Sequence, residues 1–203
     1  MGLNVHGMTD DKYWFSQGGM VFQANLVNPI PVYLKLHEVP AAIRNLYNDF
    51  VACLYPDVNM FTEFHQWRHG SAPFYKISDE ARFVNRVCDT LVLEDGDTIW
   101  LGLGAPRRWL ESKEGIRVDR VQTFFGPVSY RMYAGAKPRM IEASVQLPSN
   151  RAAAKTWLVA RVPSGHIEKV MLDGKPWTRI DADREAIELP SQPREMRLEI
   201  RYR

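Results

Sequence analysis

The densest chemistry in this 203-residue chain lies in Phe61-Thr62-Glu63-Phe64-His65-Gln66-Trp67-Arg68-His69-Gly70. A carboxyl at Glu63, flanked by Phe61 and Phe64, would lose solvation; that raises its pKa and suits it to donate a proton as a general acid. Trp67 offers an aromatic face for stacking on a sugar ring, and Arg68 or His69 can hydrogen-bond hydroxyls. The competing expectation is structural: Glu63 pairs with an arginine or a backbone amide, and Trp67 belongs to the core. His65 and His69 stand four apart with Glu63 nearby, which raises the question of a metal. Zinc motifs of that spacing carry both histidines on one helix face with a glutamate directly after the first. Gln66 holds that position and Gly70 follows, so no metal is expected.

A second cluster is Thr9-Asp10-Asp11-Lys12-Tyr13-Trp14-Phe15-Ser16-Gln17-Gly18-Gly19. Asp10 and Asp11 beside Tyr13 and Trp14 suit carbohydrate: aromatic faces take the apolar sides of sugar rings and carboxylates take hydroxyls. An N-terminal segment frayed for want of a packing partner is the alternative. Other signatures fail on context. Gly102-Leu103-Gly104 lacks a third glycine and a parallel βαβ unit, so no dinucleotide is expected. There is no Gly-x-Ser-x-Gly elbow and no phosphate loop, and nothing in the spacing assembles a triad. No cofactor is expected.

Composition narrows the classes further. Hydrophobic residues at 45% and charged residues at 25% allow a packed core and argue against disorder. A net charge of +2 is too small for tracking nucleic-acid phosphates. The arginine-rich end reads as a strand: Met196, Leu198, Ile200 and Tyr202 alternate with Arg197, Glu199 and Arg201. Cys53 and Cys88 lie in apolar surroundings without Cys-x-x-Cys spacing and are expected as buried thiols. No apolar run approaches the ~18 residues of a membrane span, and the start shows no signal-peptide pattern. A soluble chain of unassigned location is expected.

The elements that must position these residues change character near residue 90. Ile43, Leu46, Tyr47, Phe50, Cys53 and Leu54 recur at helical spacing, with Arg44, Asn45, Asn48 and Asp49 opposite. Met20 to Leu36 is apolar almost all round, which predicts a buried rod bent by Pro29 and Pro31. A third helix is predicted from Ser78, with Phe83, Val87 and Leu91 on one face. From Thr90 the period becomes two. A hairpin through Asp95-Gly96 and seven further strand segments predict an antiparallel sandwich. Ala105-Pro106-Arg107-Arg108-Trp109-Leu110 interrupts it, and is expected to be a structural plug with Trp109 and Leu110 folded inward.

Gly96-Asp97-Thr98-Ile99-Trp100-Leu101, Ala105 to Leu110, Gly115-Ile116-Arg117-Val118 and Thr123-Phe124-Phe125-Gly126-Pro127-Val128-Ser129 resemble the C-terminal region of bacterial six-hairpin glycosidase-like proteins. Upstream, Ala42 to Asn48, Tyr55-Pro56-Asp57 through Glu63, and Pro73 through Phe83 fit the same likeness, which covers residues 13 to 132. It implies an α+β chain: residues 1–89 as the last helical hairpins of an (α/α)6 toroid, and residues 90–203 as an antiparallel β-sandwich. At ~11–12 residues per helix plus connections, the first part holds only about three helices, so most of a ring is absent.

By that resemblance the substrate class is carbohydrate, Glu63 is a catalytic acid, and Trp67, Arg68, His69, Asp10, Asp11, Tyr13 and Trp14 are substrate contacts. The expected function is that of the C-terminal portion of a glycoside-hydrolase-like protein, incomplete and inactive alone. A self-sufficient carbohydrate-binding module and a structural assembly domain are the alternatives. A partner chain or self-association through residues 20–36 is expected, with no nucleic acid and no membrane among the partners.

Overall fold

The computed structural model describes residues 20–22, 28–55, 59–61, 64–66, 69–70, 77–149, 151–192 and 195–203. The chain divides into two compact units, 1–90 and 91–203.

In the first unit the elements run β1 (Met20–Phe22), α1 (Ile30–Lys35), α2 (Val39–Cys53), β2 (Leu54–Tyr55), β3 (Met60–Phe61), β4 (Phe64–Gln66), β5 (His69–Gly70) and α3 (Ile77–Leu91), whose last residue begins the second unit. This corrects the expected fold class. The described chain is mostly β with three helices, and short strands fall between them, so it is not a helical toroid segment followed by a sandwich.

The run Met20–Leu36 is not one rod. Its first residues form β1, antiparallel to β4 with Met20 opposite Gln66 and Phe22 opposite Phe64. Pro29 and Pro31 then confine the helix to six residues, because proline fits only where no intrahelical N–H is needed. His37, at φ 60, turns the chain out of it. An all-apolar run has no period to separate buried helix from strand. Ile30 and Leu34 are buried, whereas Val32 and Leu36 are exposed. Short strands lie on either side of position 63: β2 pairs with β3, and β4 lies between β1 and β5 in a separate sheet.

In α2 the inward face also differs from expectation. Asn45 and Asp49 are fully buried, while Tyr47 and Phe50 are 44% and 41% exposed. Arg86 of α3 is the physical reason. Itself fully buried, it donates from Nη1 to Asn45 Oδ1 at 2.8 Å and sets Nε 3.4 Å from Asp49 Oδ2. Isolated buried charge is far more costly than a paired one, so the two polar stripes must face each other.

The second unit contains β6 (Val92–Asp95), β7 (Thr98–Leu101), a 3-10 turn (Arg107–Glu111), β8 (Ile116–Thr123), β9 (Gly126–Ala134), β10 (Met140–Gln146), β11 (Lys155–Val159), β12 (Ile167–Leu172), β13 (Lys175–Trp177), β14 (Ile180–Asp181), β15 (Ala186–Leu189) and β16 (Glu195–Tyr202). Six strands form one sheet in the order β13-β12-β16-β10-β9-β8, and five form a second in the order β14-β15-β11-β7-β6. The β7–β11 pair is parallel, a departure from the all-antiparallel expectation. One apolar core joins the sheets: Ile99, Leu101, Leu158 and Ile187 come from the smaller, and Val128, Met132, Ile141 and Ile200 from the larger. In β10 and β16 of the larger sheet alternation produces this, since successive side chains on a strand leave by opposite faces, whereas β7 of the smaller sheet buries three residues in a row. No helix among the described residues is long and apolar enough to cross a membrane.

The interruption at Ala105–Leu110 is a plug. Leu110 is 1% exposed and Trp109 packs on the core. Gly115 then releases the chain at φ 59, a site where a Cβ would overlap the Met132 carbonyl oxygen.

Candidate functional site

Among the residues singled out from sequence, Asp10, Asp11, Tyr13, Trp14, Glu63, Trp67 and Arg68 lie outside the described residues. His69 is described through its backbone, which pairs with Gln66 in the β4–β5 ladder. That stretch is strand, so His65 and His69 do not share a helix face. Phe61, two residues before Glu63, is 7% exposed and stacks on Phe83 at 4.6 Å. Its amide N–H donates to Glu80 Oε1 at 3.0 Å. Among the described residues there is no group of three or more His, Cys, Asp or Glu placed to hold a metal ion.

The structure presents a different constellation, on the outer face of the six-stranded sheet. Alternation sends Ser129, Arg131 and Tyr133 of β9 outward, together with Glu142, Ser144 and Gln146 of β10 and Glu195, Arg197 and Glu199 of β16. Strand register then decides which of them meet. Arg117 of β8 lies opposite Arg131, Arg131 opposite Ser144, and Ser144 opposite Arg197, so one rung carries three guanidinium groups and a hydroxyl. The rung on one side holds Tyr133, Glu142 and Glu199; that on the other holds Ser129, Gln146 and Glu195.

Two depressions overlap on this face. One of about 260 Å³ is lined by Arg117, Asp119, Ser129, Arg131, Ser144 and Glu195, among others. The second, of about 460 Å³, shares Ser144 and Glu195 and adds Tyr133, Glu142, Arg197 and Glu199.

Electrostatically the face is mixed and self-screening. Arg117 Nη2 lies 3.7 Å from Asp119 Oδ2, and Arg197 Nη2 lies 3.9 Å from Glu195 Oε1. The Arg131 guanidinium sits 4.4 Å from the centre of the Tyr133 ring. Exposed pairs of this length contribute little to stability, so these groups can exchange partners for a ligand at small cost. The Tyr133 hydroxyl donates to Glu142 Oε2 at 2.9 Å. That bond, followed by burial and the Glu142 charge, raises the phenol pKa, while Arg131 and Arg197 pull the other way. Near neutral pH the hydroxyl is therefore a fixed donor. Donors and acceptors are interspersed on the grid, with Arg117 beside Arg131 and Glu142 beside Glu199. The second unit's one histidine, His166, accepts from Arg203 Nε at 2.8 Å at the start of β12.

Sequence reasoning missed this face because register and the β8 bulge between Val118 and Val121 set it. The alternation that exposes each residue was visible; the rung that aligns them was not. No protein-family model matches the chain, and no curated protein matches it.

Proposed function

We propose that this chain binds carbohydrate as part of a glycoside-hydrolase-like protein, with the outer face of the six-stranded sheet as its binding surface and no turnover by the sandwich itself. The observation that carries the reading is the aligned grid around Ser144, where guanidinium, hydroxyl, amide and carboxylate groups are interspersed over two joined depressions. Polyhydroxylated ligands need donors and acceptors at close spacing, held by strands rather than loops. The resemblance of residues 96 to 129 to glycosidase-like sequences supports the same ligand class. The test is calorimetric titration of the chain with a broad panel of soluble glycans. Saturable heat from a member of the panel is expected, and a flat response to every member rejects the proposal. Under the same proposal Glu63 keeps the role of acid in any turnover the chain contributes to.

An assembly role is the second reading, favoured by one observation. Val32, Leu36, Tyr47, Phe50 and Val51 are large apolar side chains left exposed in the first unit. Solution mass separates the readings: an obligate complex that ignores sugar favours assembly, and a monomer that binds sugar favours the module.

A further inference from the structure

Phe124 has no role in the core and no place in the grid, yet it is held with care. At 73% exposure it is the exposed large apolar side chain of the second unit among the described residues. It sits at the tip of the β8–β9 hairpin, where its amide N–H donates to Glu94 Oε1 at 2.7 Å. Its ring meets Phe125 edge to face at 5.8 Å, and the Arg151 guanidinium lies 4.6 Å from its centre. Phe125 is 2% exposed and anchors the tip to the core. An aromatic ring fixed in advance loses little entropy on binding, which is what a stacking platform requires.

The same hairpin carries Arg117, Asp119, Ser129 and Arg131 of the smaller depression. Between depression and tip lies the rung that pairs Gln122 with Pro127. From position 129 to position 126, where the turn carrying Phe124 begins, the hairpin spans roughly 10 Å at ~3.4 Å per residue, longer than one sugar ring. Charge on the depression is balanced, Arg117 and Arg131 against Asp119 and Glu195. An anionic ligand would meet two carboxylates there and a cationic one two guanidinium groups, whereas an uncharged ligand meets neither penalty.

We infer that the ligand of this face is an uncharged, linear oligosaccharide that runs along the β8–β9 hairpin from the Ser144 rung to Phe124, whose ring stacks on a sugar. The inference rests on the carbohydrate reading above and adds a direction, a minimum length and an end point to it.

Calorimetric titration of the full chain with gluco-, xylo- and manno-oligosaccharides of increasing length, beside uronate-containing oligomers, tests it. Affinity is expected to rise with length among the neutral oligomers. Phe124→Ala is expected to weaken the long ones about five- to tenfold and to leave disaccharides unchanged, with Phe124→Trp restoring the long-chain affinity. Because the ring is exposed, an unchanged thermal midpoint in Phe124→Ala confirms that folding is not the cause. If the wild type binds but Phe124→Ala binds equally well at all lengths, the inference is overturned and the carbohydrate reading stands. A preference for uronate oligomers overturns the neutral ligand. Self-association lost in Phe124→Ala assigns the ring to a contact between copies and also overturns it. Absence of binding by the wild type removes the carbohydrate reading and the inference with it.

Discussion

Arg107 grips Glu185 with both ends of its guanidinium group: Nη2 lies 2.7 Å from Oε2 and Nη1 2.8 Å from Oε1. The same Nη1 donates to the Val162 carbonyl at 2.6 Å, and Glu185 Oε1 also accepts from the Val162 amide at 3.1 Å. The Ala105–Leu110 interruption is therefore a clamp joining the 3-10 turn to the loop after β11 and the turn before β15. Glu185 holds a positive φ of 52 to present its carboxylate there. Arg161 lies close enough that Arg107 opposes its charge and Glu185 supports it, with burial as the larger influence lowering its pKa.

Removing the two partners should have unequal effects. Glu185→Ala leaves Arg107 without its carboxylate, removes the negative charge that supports Arg161 and strips the Val162 amide of its acceptor, and should cost about 2–3 kcal/mol. Arg107→Ala leaves Glu185 bonded to Val162 with Arg161 nearby. Since Arg107 is 41% exposed, it should cost only about 1 kcal/mol. Urea unfolding measures both, and a greater loss for Arg107→Ala would contradict the clamp as described.

The buried Arg86 predicts a sharper asymmetry. Arg86→Met abandons Asp49 at zero exposure and should destabilise the first unit by about 3–5 kcal/mol. Replacing Arg86 and Asp49 together with apolar residues of similar volume should recover most of that loss, as a double-mutant cycle would show.

Two glycines with nearly the same backbone angle should behave differently. Gly96 (φ 57) has nothing within 4 Å of an added Cβ, so Gly96→Ala should cost only the left-handed strain of about 1 kcal/mol. At Gly115 (φ 59) the methyl would strike the Met132 carbonyl and the Tyr133 backbone, and Gly115→Ala should cost several times as much. Equal thermal midpoints for the two variants would refute the packing at Gly115.

The Tyr133–Glu142 bond carries a pH signature. Its bond to Glu142 first, then burial and the Glu142 charge, raise the folded-state pKa above the usual 10.0. Stability from this bond is thus fully present below pH ~10 and is lost as pH rises through the higher folded value. Glu142→Gln should bring tyrosinate absorbance in at lower pH than in the wild type, while stability at neutral pH barely depends on the phenol's ionisation. An unchanged titration would argue against the bond. Tyr130 belongs to another regime: burial pushes its phenol far upward, and its hydroxyl donates to the Leu91 carbonyl at 2.9 Å, so it should ionise only on unfolding.

What could be read from sequence tracks what is local. Met196, Leu198 and Ile200 announce their burial by alternation alone, and Asp95-Gly96 announces its turn. The plug follows from two adjacent apolar residues, Trp109 and Leu110, behind a pair of arginines. The helical reading of 20–36 failed because apolarity without period cannot tell strand from helix, and the prolines decided the outcome. Asn45 and Asp49 read as an outer stripe because their partner, Arg86, lies 41 positions from Asn45. Arg107 and Glu185 stand 78 apart, and the rung from Arg117 through Ser144 to Arg197 exists only through strand order. Pairing across such separations is a property of topology, which short spacing does not encode.

The central claim is that the outer face around Ser144 is the sugar-binding surface. The most direct measurement is a backbone NMR titration of the full chain with neutral oligosaccharides. The account predicts saturable shifts confined to Arg117, Ser129, Arg131, Ser144, Gln146 and Glu195, extending to Phe124 for long oligomers. Shifts that saturate elsewhere while this face stays silent would contradict it.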